Sequence, residues 1–160
     1  MEAVVRQGCL EPGEHGTMAK DESVRQDYVA PYPLAMVVCD AIWRDPSTGK
    51  LTLLGTFSAI RVKKFPTKHN LMAVFVSLTD GHGPTPVKLQ VVDANEARAA
   101  VMETEQVVDF SDAHMVVEVA YHLRNLVFEA PGEYRFQLLA HEELLMERRV
   151  LVVHSQENAQ

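Results

Sequence analysis

The amino-acid sequence predicts an all-β protein, an antiparallel β-sandwich of seven to eight strands. Three observations lead there. The last quarter alternates large apolar and polar side chains: Tyr134, Phe136, Leu138 and Ala140 fall on one side, Arg135, Gln137 and Leu139 on the other. That period of two is the pattern of a strand with one buried face. Turn-forming clusters recur at short intervals, at 45–50, 80–84 and 131–132, as in chains of many short strands. Helical periodicity is almost absent.

The elements follow in order. Residues 1–30 hold little apolar content and are broken by Gly8, Pro12, Gly13 and Gly16, so a disordered leader is expected. Met18-Ala19-Lys20-Asp21 resembles an ordinary start within it. Leu34 to Cys39 is a continuous, Val-containing apolar run, expected to be a strand buried on both faces. Asp45-Pro46-Ser47-Thr48-Gly49-Lys50 turns the chain, and Leu51 to Phe57 returns as the hairpin partner. Ser58 to Lys64 reads as a short extension ended by Phe65-Pro66.

Leu71 to Leu78 is a further two-sided strand. Asp80-Gly81-His82-Gly83-Pro84 reads as a flexible hairpin tip. Val87, Leu89 and Val91 alternate with Lys88 and Gln90 on a half-exposed strand. Ala94 to Met102 is ambiguous: its composition favours helix, its position a connection or an edge strand. In His114 to Leu123 the residues Met115, Val117, Val119, Tyr121 and Leu123 share one side. Pro131-Gly132 opens the closing hairpin. Its register is expected to include an odd-length loop or a bulge. A three-residue loop at Glu142-Glu143-Leu144 would pair Ala140 with Met146, Phe136 with Val150 and Tyr134 with Val152, leaving Arg148 to snorkel. The domain organisation is then a leader (1–30), a sandwich of immunoglobulin-like architecture (31–155) and a short tail (156–160).

The chain has 160 residues, 47% of them hydrophobic, and a net charge of −7, which suits one domain with a real core. An acidic surface argues against nonspecific nucleic-acid or anionic-membrane binding. No apolar run approaches the roughly 18 residues of a membrane span. The first 30 residues lack a secretory signal's apolar stretch, so a cytoplasmic location is expected. Cys9 lies in a polar tail and Cys39 in an apolar run, which argues against a disulfide between them. Cys39 reads as a buried thiol.

Chemistry is sparse. His114 and His122 share a strand face but lie about 27 Å apart, and His114 and Glu118 about 13 Å, too far to hold one ion. No metal site and no cofactor are expected. There is no Gly-x-Ser-x-Gly elbow, no Cys-His signature and no phosphate loop. Asp40, after the apolar run, reads as a partner of turn backbone at a strand end, or as a polar anchor at a pocket rim beside Trp43. Arg61, Lys63, Lys64 and Lys68, interleaved with Phe65 and followed by His69, form a local positive patch on an acidic protein, suited to an acidic partner.

Ala35 to Asp40 with its Cys39-Asp40 ending, then Gly49-Lys50-Leu51-Thr52-Leu53-Leu54-Gly55-Thr56-Phe57, then Phe65-Pro66, and Pro131-Gly132-Glu133-Tyr134-Arg135-Phe136, together resemble an uncharacterised bacterial family of β-rich domains of unknown function. The resemblance covers roughly residues 33–153. It implies a compact β-rich domain and a bacterial source, and it supplies no activity, cofactor or site residue.

The function expected is a non-catalytic binding or assembly module working through protein–protein contacts, by self-association or with another protein. Leu139 and Leu151, outward on the closing hairpin, are the residues expected to mark the contact face. The alternative is a small-ligand-binding domain or enzyme with a pocket at one end of the sandwich, using Asp40, Trp43, Arg61 and His69.

Overall fold

The computed structural model describes residues 28–95 and 99–155. The expected leader, over residues 1–27, the 156–160 tail, Cys9 and the Met18 start fall outside the described residues. Within them lie nine strands and no helix: β1 Tyr32–Arg44, β2 Leu51–Thr56, β3 Ala59–Val62, β4 Thr67–Thr79, β5 Gly83–Asp93, β6 Met102–Phe110, β7 Val117–Phe128, β8 Gly132–Ala140 and β9 Glu143–His154. One sheet has four strands in the order β2-β1-β4-β7 and the other five in the order β3-β9-β8-β5-β6. The two sheets pack face to face as a β-sandwich, the fold class the sequence predicts. All pairs are antiparallel except β3 with β9, which run parallel.

The core is the interleaving of the two inner faces. Met36 and Val38 from β1, Met72, Val74, Val76 and Leu78 from β4, and Val119, Tyr121 and Leu123 from β7 meet Val87, Leu89 and Val91 from β5 and Tyr134, Phe136 and Leu138 from β8. Alternation along each strand delivers one apolar side chain per two residues to the same layer. Phe128 stands edge-on to Tyr134 with centroids 4.7 Å apart. The Tyr121 hydroxyl donates to the Val87 carbonyl across the sheets at 3.3 Å, and burial pushes the group's pKa up to about 12.

Tyr134 closes a corner at the start of β8. Its hydroxyl donates to the Ala130 carbonyl at 2.8 Å, tying the β7–β8 turn to the core. Tyr134→Phe keeps the ring and loses this bond, leaving a carbonyl short of its donor. We expect a loss of about 1 kcal/mol, measured by urea unfolding, with β-sheet circular dichroism unchanged.

Three sequence expectations are corrected. The closing hairpin has a two-residue loop, His141-Glu142, both at positive φ (47° and 66°), the geometry that matches strand twist in short hairpins. A bulge follows at Leu138/Leu139, so Leu138 pairs with Met146, Phe136 with Arg148 and Tyr134 with Val150. The bulge and the buried face are as expected; the pairing is shifted by two, which keeps the same faces together and so could not be chosen by pattern alone.

The 80–84 stretch is no hairpin tip, because β4 and β5 belong to different sheets. It is a crossover, and Gly81 lies buried against Phe110. Ser58 to Lys64 does not extend β2; β3 changes sheets and joins β9. Of the described residues in 94–102, between β5 and β6, only Met102 is strand. The strand that follows, β6, has no counterpart in the sequence reading.

Candidate functional site

β1 is longer than its apolar run suggests. Asp40 does not end it but stands inside it, on the rung facing Gly55 between Cys39↔Thr56 and Ala41↔Leu54. Gly55 has φ +65°, and a Cβ there would collide with the Asp40 carboxylate. Only glycine takes that backbone without penalty while leaving room for its neighbour. Beyond this point β1 and β2 continue as a paired hairpin. Its tip is an Asp45 turn: Asp45 accepts from the Ser47 amide and hydroxyl and the Thr48 hydroxyl, and these bonds, Thr48's foremost, lower its pKa to about 2.

Two of the pocket residues expected from the sequence come together beside this rung. Asp40 and His69 line a shallow hollow of about 240 Å³ with Gly55, Thr56, Phe57, Ala59 and Ile60. It sits where the chain crosses from β2 in one sheet to β3 in the other. The Phe57 and His69 rings are tilted at 47° to each other with centroids 6.2 Å apart. No hydrogen bond joins Asp40 to His69 among the described residues. Trp43, three residues on, does not line the hollow and is 53% exposed on the β1–β2 hairpin. Arg61 is also outside it, exposed on β3 next to buried Ile60. The four residues therefore do not converge on one pocket. Among the described residues no group of three or more His, Cys, Asp or Glu side chains could hold a metal ion.

Cys39 is fully buried. Its thiol donates weakly to the Ala41 and Ala73 carbonyls. Burial first, and the Asp40 charge second, raise its pKa, so the thiolate that reactivity needs is disfavoured.

Leu139 and Leu151 both face away from the core on the five-stranded sheet, yet six rungs of β8 separate them, since Leu151 pairs with Glu133 and Leu139 with Leu144. A polar ladder fills the space between. Gln90 donates to Gln137 at 2.7 Å and Gln137 to Glu147 at 2.8 Å; Arg135 lies against Glu133 and Glu147, and Arg149 against Glu133. Leu151 is 47% exposed in a shallow hollow whose other walls are Ser58, Glu133, Glu147, Arg148 and Arg149. These two leucines do not form a continuous apolar face.

An apolar outer face does exist, on the four-stranded sheet. Register places Tyr32 opposite Thr79, Ala35 opposite Ser77 and then Glu118, and Val37 opposite Phe75 and then Ala120. None of these belongs to the core cluster; by alternation they point outward. Tyr32 is 62% and Leu34 48% exposed. Glu118 is the one charged side chain on these three rungs. Further along the same face Phe75 shares a hollow with Leu51, Leu53, Lys50 and Glu118. Leu53 pairs with Ile42 and Phe75 with Val37, about 17 Å apart along a flat sheet. Sharing a hollow brings the β1–β2 hairpin close to this face. Cys39 and Ala73, outside the core cluster, also have no exposure. Sequence reasoning missed the face because small residues such as Ala35, Ala73 and Ala120 carry no pattern by themselves.

A family model described as "Family of unknown function (DUF6941)" matches residues 34–153. No curated protein matches the chain. Among solved structures it is similar to an immunoglobulin-like protein from Pseudomonas aeruginosa, with 12% sequence identity and a TM-score of 0.37 over 78% of this chain and 98% of that one.

Proposed function

This chain belongs to the family of unknown function DUF6941, and from that starting point we propose that it is a non-catalytic module acting through protein–protein contacts. The observation that carries the reading is the apolar outer face of the four-stranded sheet, with Tyr32 and Leu34 exposed at its open end and one carboxylate, Glu118, at its β7 side. A contact surface of this kind has an apolar centre and a polar margin. The partner it fits is another protein with a small apolar surface and a lysine or arginine placed to meet Glu118. The chemistry argues the same way from the other side: Asp40 and His69 share an open hollow but no hydrogen bond, and neither Trp43 nor Arg61 joins them, so acid, base and binding groups do not converge as a catalytic pocket requires.

The test is Tyr32→Asp with Leu34→Asp. Both side chains are exposed, so the melting temperature should change little. A protein that co-purifies with the wild type is prepared alone and its affinity for each form measured. The variant should bind at least roughly tenfold more weakly, because two carboxylates then enter an apolar contact. Equal affinity, or no protein that binds the purified wild type, overturns the proposal.

A further inference from the structure

The two edges of the five-stranded sheet carry opposite charge. At one edge, β6 bonds only to β5. Glu103, Glu105 and Asp109 are exposed along it and alternate with Thr104 and Val108, which face inward or are half-covered. Lys88 on β5 stands opposite Glu105, but it is already bonded to Glu142 at 2.9 Å. At the other edge, β3 bonds only to β9. Arg61 is exposed there, followed by exposed Lys63 and Lys64, and none of the three has a carboxylate partner among the described residues.

We propose that the protein self-associates head to tail, β6 of one copy adding to β3 of the next so that the five-stranded sheet continues across the contact. An edge strand offers a row of unpaired amide and carbonyl groups, a natural template for another strand. The strand directions permit it. β3 runs with β9, β8 against β9, β5 against β8 and β6 against β5. β3 and β6 therefore point in opposite senses, and a copy moved sideways by simple translation presents them antiparallel. Translation also keeps the outer face of the sheet outermost. Arg61, beside buried Ile60, and Glu103 and Glu105, on the same outer side, then become cross-strand neighbours of opposite sign. Each copy has one acidic and one basic edge, so the contact is heterologous and leaves a free edge at each end. It uses neither Tyr32 nor Leu34 and stands independently of the four-stranded sheet's outer face.

With only four residues in β3 the contact is small, and a dissociation constant of roughly 0.1–1 mM is expected. The experiment is sedimentation velocity of the full chain across that range, at low salt and again near 1 M salt, where charges about 3 Å apart are already screened. The wild type should grow in mass with concentration and return to monomer in salt. Glu103→Lys with Glu105→Lys should weaken association at least roughly tenfold, as should Arg61→Glu with Lys63→Glu. Mixed one to one, the two reversed proteins each present what the other needs, and association should return. Circular dichroism melts confirm that both are folded. Tyr32→Asp with Leu34→Asp should associate like the wild type. A wild type that stays monomeric, reversals that leave association unchanged, or a mixture that fails to restore it each overturns the head-to-tail contact.

Discussion

Phe136→Asp is expected to yield no soluble folded protein. Phe136 has no exposure and stands mid-strand on β8, between Val91 of β5 and Arg148 of β9. Removing a buried phenylalanine costs about 3–5 kcal/mol. A carboxylate left in its place adds several kcal/mol more, or takes up a proton to stay neutral. Domains of this kind hold only about 5–15 kcal/mol in total. Tyr134→Asp should fail in the same way, since Tyr134 is also buried and in addition loses the bond to Ala130. The contrast is Gln137→Asp, one residue along β8 and on the opposite face: it should fold and lose only its side-chain bonds to Gln90 and Glu147. Soluble yield and far-ultraviolet circular dichroism read the difference. A Phe136→Asp protein with a native melting curve would contradict the assignment of inner and outer faces.

Gly81→Ala is expected to destabilise by about 3 kcal/mol, an unusual cost for one methyl group. A Cβ on Gly81 would overlap Cγ, Cδ1 and Cδ2 of Phe110. Phe110 is almost wholly buried at the end of β6 and faces Gly83 across the ladder, so its ring has nowhere to go. Overfilling a packed site costs typically 1–3 kcal/mol and more when the neighbour is rigid. The overlap predicts a specific coupling. In Phe110→Leu the ring is gone, and adding Gly81→Ala should cost much less than it does in the wild type. Chemical denaturation of the four proteins in a double-mutant cycle measures this. Additive effects would mean that the two residues do not press on each other.

The crossover at Gly81 also shows where sequence reasoning reaches its end. Asp80-Gly81-His82-Gly83-Pro84 carries every mark of a turn, and its first three residues do join two strands, β4 and β5. Whether a turn returns the chain to the same sheet or carries it to the other is not written in its residues, because both routes need the same backbone freedom. β3 poses the same question: Ala59 to Val62 could extend β2, but it pairs in parallel with β9, a strand about ninety residues away in sequence by simple difference of Ala59↔Leu151. β6 was illegible for a different reason. Glu103, Thr104, Glu105 and Gln106 give no apolar alternation, since an edge strand with an exposed outer side needs little. Its order comes from the β5 backbone alongside it, which propensity cannot anticipate.

The candidate site divides in the same way. Asp40 and His69 were legible as polar residues beside apolar strands, and the hollow that joins them depends on β1, β2, β3 and β4 meeting at the sheet-to-sheet crossing. Trp43 and Arg61 looked equally suitable in sequence; one stands exposed on the β1–β2 hairpin outside the hollow, and alternation past Ile60 turns the other outward. Leu139 and Leu151 were rightly read as outward, but their separation by an ion-paired ladder needs the register of β8 with β9. Lys63, Lys64 and Arg61 were legible as a basic patch. That they lie across the sheet from an acidic edge follows only from the strand order.

By itself, then, the sequence determined the fold class, the inner faces of most strands and the buried state of Cys39. These follow from side-chain period and solvent preference, which act over a few neighbouring residues. Tertiary structure alone decided which strands share a sheet, where the chain crosses between sheets, and which polar residues meet. Those depend on backbone pairing and close packing between segments far apart in the chain, and backbone hydrogen bonds are the same whatever side chains flank them.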